Sequence, residues 1–366
     1  MTYKEILDKK SANILITGDS LSYNRYGYDD KHRENAYNCG VGMSSWSFSL
    51  RDLIYKSDPQ FLFGEDISFN CKTIVGIDNN PEVPNTAMFG GKIKTLFPEE
   101  NVLFTVPIKN DEIVLYLQKR IDHPCRFDVF VDNKLAAKDV NTHGNTEDFA
   151  GYGLMLLRLP CDSDIGYHTV EFKNICGDSP KITVAAIGGE YKNIILNGKG
   201  GEPVNFFVDN FKERIARYNP DLIILSLGGN DRIMTSPENL RINLIKLFSM
   251  IFDKSPSCKV LYLLPPSSHY PSDPDRDVSP YSSIITAETY NRTIERVCRR
   301  LGKEDGYDGF GTNNYSVYDI DTMRISDLFD NDAVLQWRYD NIHLNPYGNE
   351  VLLKAVADRL GIMNTI

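Results

Sequence analysis

Ser20 stands two residues after Gly18 and beside Asp19, where the short apolar run Asn13-Ile14-Leu15-Ile16-Thr17 ends. A serine displayed on such a turn is a nucleophile when three things are supplied: a base for its proton, a group that orients the base, and donors for the oxyanion. Gly, Asp and Ser also make ordinary turns, so the serine needs partners elsewhere in the chain. The histidines are at 32, 123, 143, 168, 269 and 343. Two of them have an acid three residues ahead: Asp29 before His32, and Asp340 before His343. The second pair, in Asp340-Asn341-Ile342-His343, precedes a helical pattern that opens with Asn345-Pro346. An acid in that place can meet the second imidazole nitrogen and fix its tautomer. Donors are available in two further loops. The stretch "LSLGGNDR" (225–232) ends an apolar run in two glycines and Asn230, whose amide can donate to a developing oxyanion. The stretch "LNGKGGEPV" (196–204) ends another run, and its backbone amides can do the same. It has the glycines of a phosphate loop but lacks the Lys-Ser/Thr pair of a Walker sequence.

The elements that must position these residues have two textures. Residues 13–17, 193–196, 221–227 and 259–264 are short, nearly continuous apolar runs, as in strands buried on both faces of a parallel sheet. Helical periodicity follows at 203–218, 237–252, 282–301 and 346–360. Strand and helix in alternation predict an α/β sheet covered on both faces. From about 60 to 190 the pattern changes to short strand-like runs such as "NVLFTVPI", "EIVLYLQKR" and "YHTVEFKN", separated by turn residues and without helical period. That predicts an all-β sandwich inserted at 59–190 between two parts of the α/β domain, 1–58 and 191–366.

With these loops in order, the chain resembles the SGNH (GDSL) hydrolase superfamily, named for the Ser, Gly, Asn and His of its blocks. Gly18-Asp19-Ser20-Leu21-Ser22 resembles the first block, Gly198-Lys199-Gly200-Gly201-Glu202 the second, Gly228-Gly229-Asn230-Asp231 the third, and Asp340-Asn341-Ile342-His343 the fifth. The resemblance covers roughly 11–58 and 191–366. It implies a three-layer α/β sandwich with a central parallel sheet and a jelly-roll-like, carbohydrate-binding-like insert. It further implies Ser20 as nucleophile, His343 as base, Asp340 as its orienter, and an oxyanion hole of the Ser20 and Gly201 amides with the Asn230 side chain. The distance from Ser20 to Gly201 is long for the family, and Gly42 in "NCGVGMSSW" (38–46) is the alternative second block.

The function so implied is a serine esterase that removes O-acetyl groups from mannan- or xylan-derived oligosaccharides. Peptidoglycan or capsule O-acetylesterases and acetyltransferases would use the same residues, and a non-catalytic carbohydrate-binding or phage structural protein could share the scaffold. Aromatic faces suit sugar rings, which makes Tyr23, Trp46 and Trp337 substrate-contact candidates; Arg232, directly after the Asn230-Asp231 pair, is another. No cofactor is needed. The stretch "DGYDGFG" (305–311) misses EF-hand spacing, so no metal is expected. The 366 residues carry a net charge of −10, which disfavours nucleic acid and anionic membrane surfaces. No apolar run reaches the length of a membrane span, and the first residues do not read as a signal peptide. Seven scattered cysteines without CxxC spacing suit reduced thiols, so a cytoplasmic protein is expected, with a homodimer as a possible state.

Overall fold

The computed structural model describes residues 1–9, 11–20, 46–58, 60–76, 93–119, 124–143, 154–178, 180–189, 193–266, 287–302, 318–328 and 344–362. The chain forms two compact units. One comprises Met1–Lys31, Ser44–Leu50 and Lys192–Ile366; the other comprises His32–Met43 and Arg51–Tyr191.

The first unit begins with helix α1 (Tyr3–Leu7) and strand β1 (Asn13–Gly18), and it also holds the start of helix α2 (Trp46–Lys56). The second unit is antiparallel. Its strands are β2 (Leu62–Phe63), β3 (Lys72–Gly76), β4 (Ile93–Phe97), β5 (Val102–Val106), β6 (Glu112–Gln118), β7 (Arg126–Val131), β8 (Lys134–Asn141), β9 (Leu154–Pro160), β10 (His168–Cys176) and β11 (Ile182–Gly188). One sheet runs β5-β10-β7-β8. The other runs β3-β4-β11-β6-β9, with β2 also paired to β11. Alternate residues point to the same side of a strand. Val102, Phe104 and Val106 of β5 therefore join Phe127, Val129 and Val131 of β7 in one buried cluster. Ile113, Leu115 and Leu117 of β6 and Ile182 and Val184 of β11, from the other sheet, complete that cluster. Asp132 and Asn133 both take positive φ (48° and 63°) in the two-residue turn from β7 to β8, a turn type whose twist matches a hairpin.

The first unit resumes with β12 (Asn193–Leu196), α3 (Val204–Asp209), α4 (Phe211–Arg214), β13 (Leu222–Ser226), α5 (Asp231–Met234), α6 (Pro237–Lys254), β14 (Lys259–Leu264), α7 (Ala287–Leu301), β15 (Asp319–Arg324) and α8 (Pro346–Leu360). The strands form one parallel sheet in the order β12-β1-β13-β14-β15. Leu15, Ile223, Leu225, Val260 and Tyr262 pack on one face with Phe207, Leu244, Phe248, Ile251 and Ile294 from α3, α6 and α7. The intervening Ile14, Ile16, Leu222, Ile224, Leu261 and Leu263 are buried as well, so the sheet is covered on both faces. This arrangement explains the continuous apolar runs.

One sequence expectation needs correction, and one strand has no counterpart in the sequence reading. The single helix expected at 203–218 is broken. Asn210 leaves helical geometry at φ −108° and ψ 28°, and its Nδ2 donates to Phe206 O at 2.9 Å, a side-chain competitor for the helix carbonyl. The edge strand β15, "DIDTMR", has no continuous apolar run and was not expected from the sequence; ion pairs, described below, hold it instead. Helix α7 begins at Ala287, and the first residues of the expected 282–301 lie outside the described residues.

Helix α8 opens as its sequence indicates. The Asn345 side chain accepts from Gly348 N at 2.9 Å, and Pro346 occupies the first turn. Asn345→Ala should therefore lower stability by about 1 kcal/mol, measured by chemical denaturation; an unchanged midpoint would show that the cap contributes nothing.

Candidate active site

Strand β1 has β12 on one side and β13 on the other, so the chain reverses its direction of travel across the sheet at β1. In an open parallel sheet, ligands bind at the carboxyl ends of the strands beside such a switch point. Gly18, Asp19 and Ser20 lie at that place. Backbone groups clamp the turn from both neighbours: Lys199 N donates to Gly18 O at 2.8 Å, and Asp19 N donates to Ser226 O at 2.9 Å. Thr17 Oγ1 adds a bond to Asn197 O at 2.8 Å. Ser20 is thus held between the loop after β12 and the loop after β13, and it is partly exposed.

The first of those loops carries Gly200 and Gly201. A Cβ built on Gly200 would lie 3.8 Å from Ser20 Cβ, which puts that backbone against the serine. Gly201 has φ +80°, and a Cβ there would meet nothing within 4 Å. Its N–H has no protein acceptor among the described residues. What calls for glycine here is backbone conformation, not lack of space. Gly201→Ala should therefore cost about 1–2 kcal/mol of stability, while losing less kcat than removal of the Asn230 amide because the N–H survives. Denaturation and ester hydrolysis measured on one preparation check both expectations.

The second loop carries Gly228, Gly229, Asn230 and Asp231. Gly229 lies so close to Asp19 that a Cβ would sit 3.0 Å from the carboxylate Oδ2. Asn230 precedes α5 in helical geometry, and its Nδ2 donates to Glu202 O at 3.2 Å. The amide's second N–H has no acceptor among the described residues. Three potential donors, the amides of Ser20 and Gly201 and the side chain of Asn230, therefore belong to loops at one edge of the sheet.

Asp19 and Asp231 lie beneath these loops, at 1% and 0% exposure. Asp231 Oδ2 accepts from Val204 N at 3.0 Å, and its Oδ1 has no partner. Burial, together with the Asp19 carboxylate, pushes Asp231 up to about 7. An aspartate in the unfolded chain titrates near ~3.9, so folding favours the protonated form. The stability this group contributes is therefore greatest below about pH 4 and is lost as pH rises through about 7. Asp231→Asn removes that dependence. Relative to the wild type, the variant should gain a few degrees of Tm between pH 5 and pH 8, read by thermal denaturation at both pH values; a constant difference would contradict the raised acid.

The structure describes two of the substrate-contact candidates. Trp46 is 1% exposed at the start of α2, with its backbone N–H bonded to Asn349 Oδ1 at 3.1 Å; it is a core residue and presents no face to a sugar. Arg232 is partly buried. Its guanidinium donates to Pro266 O at 2.8 Å and to Asn291 Oδ1 at 3.2 Å, bracing the chain after β14 against α7. Asp340, His343, Tyr23, Trp337, Gly42, Asp29 and His32 lie outside the described residues. The residues directly after His343 are fixed: Leu344 is buried, and Asn349 Nδ2 donates to Leu344 O and Asn345 O, both at 3.0 Å. Among the described residues, no group of His, Cys, Asp and Glu could hold a metal ion, and no helix is long and apolar enough to cross a membrane. Sequence reading missed Asp231 as a structural link; its only signal was an acid directly after Asn230.

Residues 180–351 match the model of the GDSL-like Lipase/Acylhydrolase family. That stretch includes Gly201, Asn230, Asp340 and His343, whereas Ser20 lies outside it and reaches the same sheet edge through β1. No curated protein matches the chain. Among solved structures, a peptidoglycan O-acetylesterase is similar at 12% identity and TM-score 0.44, covering 98% of this chain and 93% of that one. An α/β hydrolase from the metagenome of Lake Arreo is similar at 18% identity and TM-score 0.34, covering 47% and 74%. An acetylxylan esterase from Geobacillus stearothermophilus is similar at 14% identity and TM-score 0.33, covering 46% and 73%.

Proposed function

We propose that this chain, a hydrolase of the GDSL/SGNH family, is a serine esterase that removes O-acetyl groups from acetylated oligosaccharides. The observation that carries the reading is the assembly of Ser20, Gly201 and Asn230 at the switch point of the parallel sheet. They come from three separate loops, and one of them is brought in from far outside the matched stretch. In this reading, Ser20 Oγ attacks the acyl carbonyl while His343, oriented by Asp340, takes its proton. The carbonyl oxygen becomes an oxyanion that accepts from the Ser20 and Gly201 amides and from Asn230 Nδ2. His343 returns the proton to the departing sugar hydroxyl, leaving acetyl-Ser20, and a water activated by the same base then releases acetate.

The sugar part of the substrate draws on the antiparallel unit and on aromatic residues. The antiparallel unit packs two sheets around one core, a layout compatible with a jelly-roll-like, carbohydrate-binding sandwich. Tyr23 and Trp337 supply aromatic faces close in sequence to Ser20 and Asp340. A cytoplasmic location belongs to the same reading, since Cys71, Cys125, Cys161, Cys176, Cys258 and Cys298 are all free thiols.

The deciding experiment measures acetate release from acetylated manno-oligosaccharides, xylo-oligosaccharides and peptidoglycan fragments. Release from manno- or xylo-oligomers supports the proposal. Release from peptidoglycan alone replaces the substrate class, and transfer to an added acceptor in preference to water makes the enzyme an acetyltransferase. Cleavage of p-nitrophenyl acetate without release from any glycan overturns the carbohydrate part and leaves the esterase.

A further inference from the structure

The two loops that carry Gly201 and Asn230 are tied together by consecutive side chains. Asn230 Nδ2 reaches Glu202 O, and Asp231 Oδ2 receives Val204 N–H at 3.0 Å. Glu202 and Val204 flank Pro203, directly after Gly201. Val204 opens α3, and its N–H is one of the donors that a helix leaves without an internal partner. The residue ahead of it, Pro203, makes no side-chain cap. Asp231 supplies the cap from the other loop, 27 positions away.

A buried carboxyl is an expensive way to fill space. One oxygen of Asp231 has no partner; Ser226 Oγ nearby in sequence is also buried without one, and the neighbouring Asp19 carboxylate opposes ionisation. Tyr262, whose hydroxyl donates to Leu227 O at 3.0 Å, also interacts electrostatically with Asp231. An apolar side chain of similar size would avoid these costs. What it could not provide is the acceptor for Val204 N–H.

We infer that Asp231 is a positioning residue: by holding Val204 N–H it fixes the loop of Gly201 against that of Asn230, so that both donors converge on one oxygen. Asp231 does not touch the substrate. The inference rests on the reading of Gly201 and Asn230 as oxyanion donors and adds to it the device that sets their separation. A rigid tie matters because oxyanion stabilisation depends on donors already standing about 3 Å from where charge develops, and a misplacement of about 1 Å can cost ~10²-fold in rate.

The test uses kcat and KM for p-nitrophenyl acetate at pH 8 in the full chain. Asp231→Asn keeps the shape and an acceptor oxygen, and it should stay within about threefold of wild-type kcat. Asp231→Leu keeps the bulk and removes the acceptor; kcat should fall about 10–100-fold with KM within about twofold, the split expected for an interaction felt in the transition state. Val204→Pro deletes the donor instead. Pro203 already has φ −80° and ψ 173°, which a following proline tolerates, and proline suits a first helical position. Its kcat loss should match that of Asp231→Leu, and the double variant should be no worse than about threefold below either single, because both remove one bond. Equal losses in Asp231→Asn and Asp231→Leu would overturn the proposal, as would full multiplication of the two single losses. Asn230→Ala, measured alongside, separates the two levels. If it loses kcat while Asp231→Leu does not, only the positioning role falls; if it too leaves kcat intact, the oxyanion reading falls and the inference with it.

Discussion

Ser20→Ala should abolish ester hydrolysis, with kcat for p-nitrophenyl acetate at least about 10⁴-fold below wild type and a folded protein left behind. The magnitude follows from covalent catalysis: without the hydroxyl no acyl-enzyme forms, and only the residual acceleration from binding and oxyanion donors remains. The fold should survive because the turn around Ser20 is held by main-chain bonds of Gly18, Asp19, Lys199 and Ser226, all of which alanine preserves. His343→Ala should match the loss, since a nucleophile and its base act as one unit and their removals do not add. His32→Ala decides between the two acid–histidine pairs and should keep most of the activity. Turnover that persists in Ser20→Ala would remove the serine mechanism. Turnover lost in His32→Ala and kept in His343→Ala would make His32 the base.

The elements around this serine differ in how far they can be read from sequence, and the reasons are physical. Strands β1, β13 and β14 lie in the sheet interior with both faces buried, so each is written as an almost unbroken apolar run. β15 lies at the sheet edge and is half-buried throughout. Its Asp319 pairs with Lys259 at 2.7 Å, and its Asp321 pairs with Arg359 at 2.5 Å and accepts from Tyr3 Oη at 2.9 Å. Those partners are distant in sequence, so "DIDTMR" reads as a loop until they are in place. The antiparallel strands β5, β7 and β10 are legible as short strand-like runs between turn residues, and their alternating burial puts one face in the core cluster. The site shows the same division. Ser20, Gly201 and Asn230 are marked by where apolar runs stop, because strand ends at one sheet edge gather whatever follows them. Trp46 was misread because residue type alone does not say which face of a helix is buried. Asp231 went unread because its role depends on one hydrogen bond to Val204, which a turn-like Gly-Gly-Asn-Asp sequence does not announce.

Asn230→Ala is the second large effect: kcat should fall about 10²–10³-fold, equivalent to about 2.7–4 kcal/mol of transition-state stabilisation, with KM changed far less. The asymmetry between kcat and KM is the informative part. A neutral ester carbonyl accepts a hydrogen bond weakly, whereas the oxyanion it becomes accepts strongly, so a positioned amide contributes mostly after the nucleophile has attacked. Asn230 Nδ2 already donates one N–H to Glu202 O, and that bond aims the amide while its other N–H has no acceptor among the described residues. Alanine deletes both N–H groups; loss of the tie to Glu202 should add only about 1 kcal/mol to the change in folding stability, small enough that kcat can be measured on a native protein. Asn230→Asp sharpens the test. It is nearly isosteric, but it offers a carboxylate where the transition state needs a donor, and it sets a third acid beside the buried Asp19 and Asp231, so its kcat should lie below that of alanine. A loss under tenfold in Asn230→Ala, or a rise in KM with kcat intact, would place Asn230 in substrate binding or loop structure and leave the oxyanion to the Ser20 and Gly201 amides alone.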